Sequence, residues 1–239
     1  MKYHYVLRLS VLFAGVCLLL TACGVTTTPN EAASEEELIS LLWRLPESNV
    51  IELNAALDAE LLKHPNMTEE EKNALAFSLI RQQTKTVSEV DLLEPQQGYP
   101  WGALTPAENR ICRSNPINCA RTKGFADEAR NTAPRWFPTG AYLGKQDAFR
   151  HGYWNALMRF HISHTWAFNF ATAHESETPS GPDKTMDLRN NIEGREVGQI
   201  VRYSQNLASN VNHYIVKGDF WIVKGGPNGR LVPSNQPWP

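Results

Sequence analysis

The stretch that most constrains the fold is DAFRHGYWNALM, at residues 147–158. A helix that begins near Gly144 places Asp147 and His151 four residues apart, on one face. Apolar residues such as Phe149 and Leu157 occur in the same stretch, which indicates that the helix packs into a core. The sequence therefore predicts a buried helix that also presents a polar pair.

Further helices are predicted on both sides of this stretch, with a loop around Pro134. Their expected bounds are, in chain order, about 106–114, 116–131, 165–175 and 183–203. Two β-prone runs, at 220–223 and 230–232, flank a glycine-rich turn and predict a hairpin. The predicted fold class is mainly α, a helical bundle with a small C-terminal β-hairpin.

The N-terminal half has a simpler organisation. Two capping boxes, at Ser34 and Thr68, and apolar residues at helical spacing predict three helices in residues 34–84. We interpret them as an N-terminal helical arm, in which nothing indicates chemistry. After a connector with several proline and glycine residues, a helical domain that carries the candidate site covers residues 102–233.

The first residues have the charge order of an export signal. Lys2 and Arg8 precede an apolar run, at residues 11–20, that is too short to span a bilayer. The run ends in LTAC at residues 20–23, which resembles the lipobox of bacterial lipoproteins. An ordinary export signal with a chance cysteine is the alternative.

The lipobox resemblance implies a location. Residues 1–22 would be a lipoprotein signal peptide, Cys23 would be acylated, and the small polar residues 23–33 would form a flexible tether. Gly24, rather than Asp, at the next position favours the outer membrane. We therefore expect a protein of the bacterial cell envelope, lipid-anchored and facing the periplasm, with the membrane as a partner through the lipid anchor.

Two of the four cysteines, Cys112 and Cys119, remain in the mature chain. In an oxidising compartment such a pair predicts a disulfide. Seven residues along a straight helix would hold the sulfurs too far apart, but Asn115-Pro116 is expected to break the helix between them. A metal-binding pair is the alternative, although no CxxC spacing supports it.

The charge balance excludes one class of partner. The chain has 23 Lys and Arg residues against 25 Asp and Glu residues, and no basic tract stands out. Nucleic-acid binding therefore has no electrostatic support. The sequence does not identify a protein partner or an envelope substrate.

Three consecutive predicted helices each carry a polar pair. Because helices joined by short loops direct facing side chains inward, we expect these pairs to converge. The candidate site residues are Asp147, His151, His174, Glu175, Asp187 and Asn191. They alternate with apolar residues expected in the core, namely Phe149, Leu157, Phe168, Met186, Ile192 and Val197.

These residue types are suited to metal or acid–base chemistry. Asp147 could orient His151, and Asp187 could orient His174. His151, His174 and Asp187 could together hold a divalent metal such as zinc and leave one position for water. Without a metal, either histidine could act as a general base. The sequence thus predicts a hydrolase-type site, with a structural polar network or a non-catalytic ligand pocket as the alternatives.

Three stretches also carry a family resemblance. DAFRHGYWNALM (147–158), AHE (173–175) and MDLRNNIEGR (186–195) resemble an uncharacterised bacterial domain found in exported proteins and toxin-like chains. The resemblance covers roughly residues 102–233, and Gly152 stands where relatives often have alanine. It implies that the polar residues belong to the signature of the domain, and it implies no mechanism.

Overall fold

The computed structural model describes residues 33–87, 92 and 103–237. The predicted signal peptide and Cys23 lie outside the described residues. The helices within them are α1 (Glu35–Arg44), α2 (Glu47–Lys63), α3 (Glu69–Thr86), α4 (Pro106–Ser114), α5 (Pro116–Trp136), α6 (Lys145–His161), α7 (His164–His174), α8 (Pro182–Ile200) and α9 (Leu207–Lys217). Strands β1 (Trp221–Lys224) and β2 (Arg230–Pro233) follow as an antiparallel pair. The mainly helical fold class and the C-terminal hairpin are confirmed.

Capping fixes where several helices begin. Ser34, Thr68 and Thr105 each accept the backbone N–H three residues on, and a glutamate side chain returns the bond in all three cases. Asn115 caps α5 and ends α4, and the proline that follows it begins the new helix. The corner brings Cys112 and Cys119 together as a disulfide, with Cα atoms 5.0 Å apart.

Two helix predictions were wrong. Helix α5 continues past Pro134 to Trp136, because its inward residues Ala129 and Ala133 stay packed in the core. Helix α9 was not predicted at all, although Leu207, Val211 and Ile215 repeat at helical spacing and are fully buried. The predicted loop around Pro134 therefore begins later.

Glycines set the separation of α6 and α8. A Cβ added to Gly194 would lie 2.2 Å from the carbonyl oxygen of Gly152, and one added to Gly198 would lie 2.6 Å from that of Ala156. Gly152 is also covered by Phe220, whose Cε1 would be 2.3 Å from an added Cβ. The two helix backbones therefore touch, which places the polar residues of α6 opposite those of α8.

The expected core needs two corrections. Phe168 and Ile192 are 48% and 49% exposed, whereas the other four predicted core residues are buried. In α8 the inward positions are occupied by Asn190, Asn191 and Gly194, so the helical period turns Ile192 outward. Apolar character alone did not reveal that the buried face of α8 is largely polar.

Helices α1–α3 share the core of the remaining helices. Their buried residues, such as Leu38, Leu53 and Ile80, belong to the same hydrophobic cluster as Trp154 and Phe170. From Ala33 onward the chain forms one compact unit. The predicted arm is therefore continuous with the predicted helical domain.

Hydrogen bonds to the backbone of the hairpin attach it to α8 and to the turn before α6. The Asn190 side chain donates to the Trp221 carbonyl at 3.0 Å and accepts the Trp221 N–H at 2.9 Å. The N–H of Val223 donates to the carbonyl of Leu143 at 2.9 Å. No helix in the described part of the chain is long and apolar enough to cross a membrane.

Candidate metal centre

Asp147, His151 and Asp187 each direct one potential ligand atom toward a common point between α6 and α8. These three atoms all lie within 4.8 Å of one another, and all three residues are buried. His151 Nε2 is 3.6 Å from Asp147 Oδ1 and 3.4 Å from Asp187 Oδ1. The three residues are the one group of this kind among the residues that the structure describes.

The other ring nitrogen of His151 faces an amide. His151 Nδ1 lies 3.3 Å from Asn191 Oδ1 and 3.9 Å from Glu175 Oε1. Five of the six predicted site residues thus meet at one imidazole that has no exposed surface. The expected contact between Asp147 and His151 is longer than a hydrogen bond, so the orienting contact comes from Asn191.

A chain of hydrogen bonds determines which nitrogen of His151 carries the proton. Arg195 can only donate, so Asn155 Oδ1 accepts from it at 3.0 Å. The Nδ2 group of Asn155 then donates to Asn191 Oδ1 at 2.7 Å and to the carbonyl of His151 at 3.1 Å. Asn191 Oδ1 is therefore an acceptor, and His151 must donate to it from Nδ1. In the neutral ring the Nε2 lone pair consequently faces the two aspartates.

Burial and neighbouring charges shift the pKa values of the residues in the site. Burial lowers the pKa of His151 well below its ordinary value, and the nearby Arg150 charge adds to the effect. Burial raises the pKa of Asp187 well above its ordinary value, with further increases from the charges of Asp147 and Glu175. Burial also raises the pKa of Asp147 and that of Glu175. Without a cation, the site therefore favours neutral forms.

Some buried oxygens of the cluster lack hydrogen bonds. Neither Asp187 Oδ1 nor Glu175 Oε1 has a hydrogen-bond donor within the described ranges. Asp147, by contrast, accepts the N–H of Leu143 at 2.7 Å and forms an ion pair with Arg150. Buried carboxylate oxygens usually accept hydrogen bonds, so these two oxygens of Asp187 and Glu175 indicate a place where a further group could bind.

A strained turn positions Asp147 at the start of α6. Leu143 has a φ of 62°, in the left-handed region that non-glycine residues rarely occupy. The N–H of Leu143 donates to Asp147 Oδ2, and its carbonyl accepts the N–H of Val223 in β1. A Cβ on Gly144 would lie 2.6 Å from the Cα of Gly140, so this turn closes tightly before the helix. No sequence signal identified Leu143 as part of the site.

His174 occupies a neighbouring but different position. Its Nδ1 lies 2.8 Å from Glu108 Oε1, so the contacting carboxylate is Glu108 and not the expected Asp187. Burial opposes protonation of His174, but the charge and hydrogen bond of Glu108 raise its pKa overall. The predicted metal ligands were His151, His174 and Asp187. The group that the structure brings together, Asp147, His151 and Asp187, contains Asp147 in place of His174.

Glu108 itself was not predicted as a site residue. It forms the capping box of α4 together with Thr105. Its burial distinguishes it from an ordinary capping glutamate, which is usually solvated, because only 1% of Glu108 is exposed. This burial indicates a role in the site besides capping.

Comparison with known proteins adds one finding. No curated protein and no solved structure matches the chain. Residues 109–217 match a family described as a domain of unknown function, DUF6973, which is consistent with an uncharacterised domain family. The matched segment contains all six predicted site residues, and it ends before the hairpin.

Proposed function

We propose that this chain is a lipid-anchored protein of the cell envelope that binds a divalent metal ion at Asp147, His151 and Asp187. These residues would hold the ion, which would supply a water molecule of lowered pKa for hydrolysis of an ester or amide bond in an envelope component such as a phospholipid or peptidoglycan. The anchor rests on the lipobox resemblance at Cys23, and the metal site rests on the geometry around His151.

One observation carries the metal site. The hydrogen bonds from Arg195 through Asn155 to Asn191 leave the lone pair of His151 Nε2 facing two aspartate oxygens. Acceptors repel one another at such a point unless a proton or a cation lies between them. Two ligands of a tetrahedral zinc ion are about 3.3–3.4 Å apart, given metal–ligand distances of about 2.0–2.1 Å. The observed separations of 3.4 and 3.6 Å from Nε2 are close to this spacing.

The local charge supports a divalent ion. Asp147, Asp187 and Glu175 are all buried, and Arg150 forms an ion pair with Asp147. When the three carboxylates are ionised, a charge of −2 is left after Arg150 is counted. A bound divalent cation would neutralise this charge and would offset both the burial and the neighbouring negative charges that raise the pKa of Asp187.

A one-histidine, two-carboxylate set leaves room for chemistry. Three protein ligands on a tetrahedral ion leave the fourth position for water, whose pKa a zinc ion lowers to about 7. The resulting hydroxide can attack a carbonyl at neutral pH. Mixed nitrogen and oxygen ligands also accept manganese or iron, so the ligand set favours a divalent transition metal over calcium.

The second candidate function is a non-catalytic binding or scaffold protein with a structural polar network. The bonds of Asn155 to Asn191 and of Arg195 to Asn155 support it, because they join α6 to α8 through buried hydrogen bonds. In this alternative, burial raises the pKa of Asp187 and favours its neutral form, Asp147 stays paired with Arg150, and no ion is needed.

Metal analysis separates the two candidates. The detergent-purified protein is loaded with Zn²⁺, dialysed, and assayed for zinc per chain by mass spectrometry. We expect one zinc per chain in the wild type and a loss of at least tenfold in affinity in Asp187→Asn and His151→Gln. Asp183→Asn is the matched control, because it makes the same change one turn earlier in α8 and leaves the trio intact. A wild type that retains no zinc, manganese or iron would leave the structural network as the explanation.

A further inference from the structure

The loop between α5 and α6 presents an uncharged and largely exposed stretch of chain. Residues 136–144, WFPTGAYLG, contain no charged side chain, and a basic residue stands at each end, Arg135 and Lys145. Trp136 is 41% exposed and Tyr142 is 55% exposed. The other exposed residues of the loop are Pro138, Thr139 and Ala141. Exposed apolar residues with a charged rim are typical of an interaction surface.

The same loop is bonded to the candidate metal centre. The carbonyl of Gly140 accepts the N–H of Asp147 at 3.2 Å, and the carbonyl of Ala141 accepts from the Arg150 side chain at 3.3 Å. The N–H of Leu143 donates to Asp147 Oδ2 at 2.7 Å. A surface that binds this loop is therefore held next to the helix that supplies two of the proposed metal ligands.

The two exposed aromatic side chains are of the kinds that favour a bilayer interface. Tryptophan and tyrosine combine an apolar ring with a polar N–H or O–H group, and both are enriched at the level of the lipid headgroups. Trp136 stacks on the buried Phe149, with 6.4 Å between ring centres. The hydroxyl of Tyr142 donates to Asp183 at 3.3 Å. Both rings are therefore held in place before binding, which reduces the entropy lost on association.

The charges at the two ends of the loop are complementary to lipid phosphates. Arg135 is exposed and Lys145 is half-buried. Neither forms an ion pair with an acidic residue in the part of the chain that the structure describes. A basic side chain near an anionic membrane surface strengthens binding about fivefold. Aromatic rings between two cations are the combination that binds at a membrane surface.

The proposed lipid anchor keeps a bilayer within reach of the domain. Ten residue steps separate Cys23 from Ala33, the first residue that the structure describes. At full extension of about 3.3–3.6 Å per residue, this length spans at most about 35 Å. A tethered partner is present at high effective concentration, so a weak docking surface is sufficient. This tether favours the bilayer over a freely diffusing protein as the occupant of the loop.

We propose that residues 135–145 dock the protein on a phospholipid bilayer, and that the substrate of the adjacent site is a phospholipid ester. The substrate rests on the proposed hydrolase function, whereas the docking does not. In the reaction, the oxygen of water forms a bond to the acyl carbon, and the bond between that carbon and the glycerol oxygen breaks. The glycerol oxygen takes one proton of the water. A fatty acid and a lysophospholipid result, and no further reactant is needed.

Vesicle binding tests the docking. A chain that begins at residue 24 carries no acyl group and retains the compact unit from Ala33 onward. Its sedimentation with mixed phosphatidylcholine and phosphatidylglycerol vesicles, in the presence of a chelator, measures binding without anchor or metal. We expect this chain to bind, and Arg135→Gln/Tyr142→Ser to bind at least about tenfold more weakly. Arg202→Gln/Tyr203→Ser is the matched control and should bind like the wild type, because it removes an exposed arginine and a 59% exposed tyrosine elsewhere.

A gain of binding provides a test that loss of the fold cannot imitate. Thr139 is exposed in the middle of the loop, and Thr165 is exposed in the first turn of α7. We expect Thr139→Trp to tighten vesicle binding several-fold and Thr165→Trp to leave it nearly unchanged. The docking proposal is overturned if the unacylated wild type does not bind vesicles. Equal weakening by the two double variants, or an equal gain from the two tryptophans, also overturns it.

Fatty acid release tests the substrate. The zinc-loaded unacylated chain is assayed over a series of vesicle concentrations. We expect release that is lost in Asp187→Asn, and in Arg135→Gln/Tyr142→Ser a KM for lipid raised about tenfold with kcat unchanged, because only docking is weakened. Vesicle binding and zinc binding without fatty acid release would refute the phospholipid substrate. A wild type that binds vesicles but no zinc would refute the proposed function and leave the docking loop supported.

Discussion

Gly194 of α8 lies against Gly152 of α6 so closely that a Cβ on Gly194 would be 2.2 Å from the Gly152 carbonyl oxygen. The atom that an added Cβ would meet belongs to the backbone of Gly152, which cannot rotate away as a side chain can. The contact lies beside the group formed by Asp147, His151 and Asp187, since Gly152 follows His151 directly. The spacing of the two helices and the geometry of the site are therefore linked.

We expect Gly194→Ala to destabilise the protein by about 1–3 kcal/mol or more, because overpacking must push α6 and α8 apart. Thermal or urea unfolding measures the effect. Gly181→Ala is the control, because no atom lies within 4 Å of an added Cβ and its φ of 172° is open to any residue. A Gly194→Ala protein as stable as Gly181→Ala would contradict the close packing.

Asp187 gives a pH-dependent prediction for the metal-free protein. Its pKa is raised well above the ordinary value by burial and by its acidic neighbours. Because the folded state then binds this proton more tightly than the unfolded state, the stability that it contributes is complete below pH about 4 and is lost as the pH rises through the folded pKa.

Replacing Asp187 with asparagine removes this titration. We expect Asp187→Asn, in the presence of a chelator, to gain stability relative to the wild type as the pH rises from about 4 to 8, by up to about 1.4 kcal/mol per pH unit. Urea midpoints at a series of pH values provide the measurement. A difference between the two proteins that does not change with pH would show that Asp187 titrates normally.

Much of the fold follows from local chemistry that the sequence displays. The capping boxes at Ser34 and Thr68 directly precede helices in the structure, and the helices predicted from about 106 and 116 begin at those residues. The four-residue spacing of Asp147 and His151 correctly puts both on one face of α6. Helix α9 was missed although its apolar spacing was present, so that omission was avoidable.

The partners of the site residues could not be read from the sequence. Glu108 contacts His174, which is 66 positions away in the sequence. The residues around Glu108 indicate only its role in capping α4. The left-handed backbone of Leu143 depends on the tight turn before α6 and on the hairpin, and neither has a signature at a leucine. Contacts between distant segments are set by packing, which local patterns do not encode.

The lipid anchor is a separate prediction. We expect Cys23→Ser to abolish acylation and to leave the precursor unprocessed or the protein released from the membrane fraction, because the serine hydroxyl is not the acceptor that the lipobox presents. Labelling with a radioactive fatty acid and fractionation measure both effects. Cys17→Ser is the control within the same apolar run and should be labelled like the wild type. Normal processing and membrane retention of Cys23→Ser would contradict the lipoprotein assignment.

The disulfide joins α4 to α5 across the corner at Asn115. We expect the double substitution of Cys112 and Cys119 by alanine to cost about 2–3 kcal/mol, since the bond closes a short loop in the unfolded chain and both cysteines are fully buried. Urea unfolding of the two proteins provides the comparison. If reduction of the wild type leaves its stability unchanged, the bond contributes nothing to the fold.

Metal binding gives the last prediction, because an ion that binds only the folded state must stabilise it. At a free Zn²⁺ concentration about 100 times the dissociation constant, the expected gain is about 2.7 kcal/mol. For a unit of this size that corresponds to a rise of about 5–10 °C in Tm. A chelator should reverse the rise in the wild type.

The variants locate this effect. We expect His151→Gln and Asp187→Asn to show no zinc-dependent rise in Tm, and Asp183→Asn to respond like the wild type, because only the first two remove a ligand of the trio. The order of stabilities without metal should differ from the order with metal: Asp187→Asn should exceed the wild type in chelator and fall below it in zinc. This reversal distinguishes a metal ligand from a structural strut, since a strut weakened by substitution is weaker under both conditions. An equal zinc response in all four proteins would place the bound ion elsewhere and remove the basis for hydrolysis at His151.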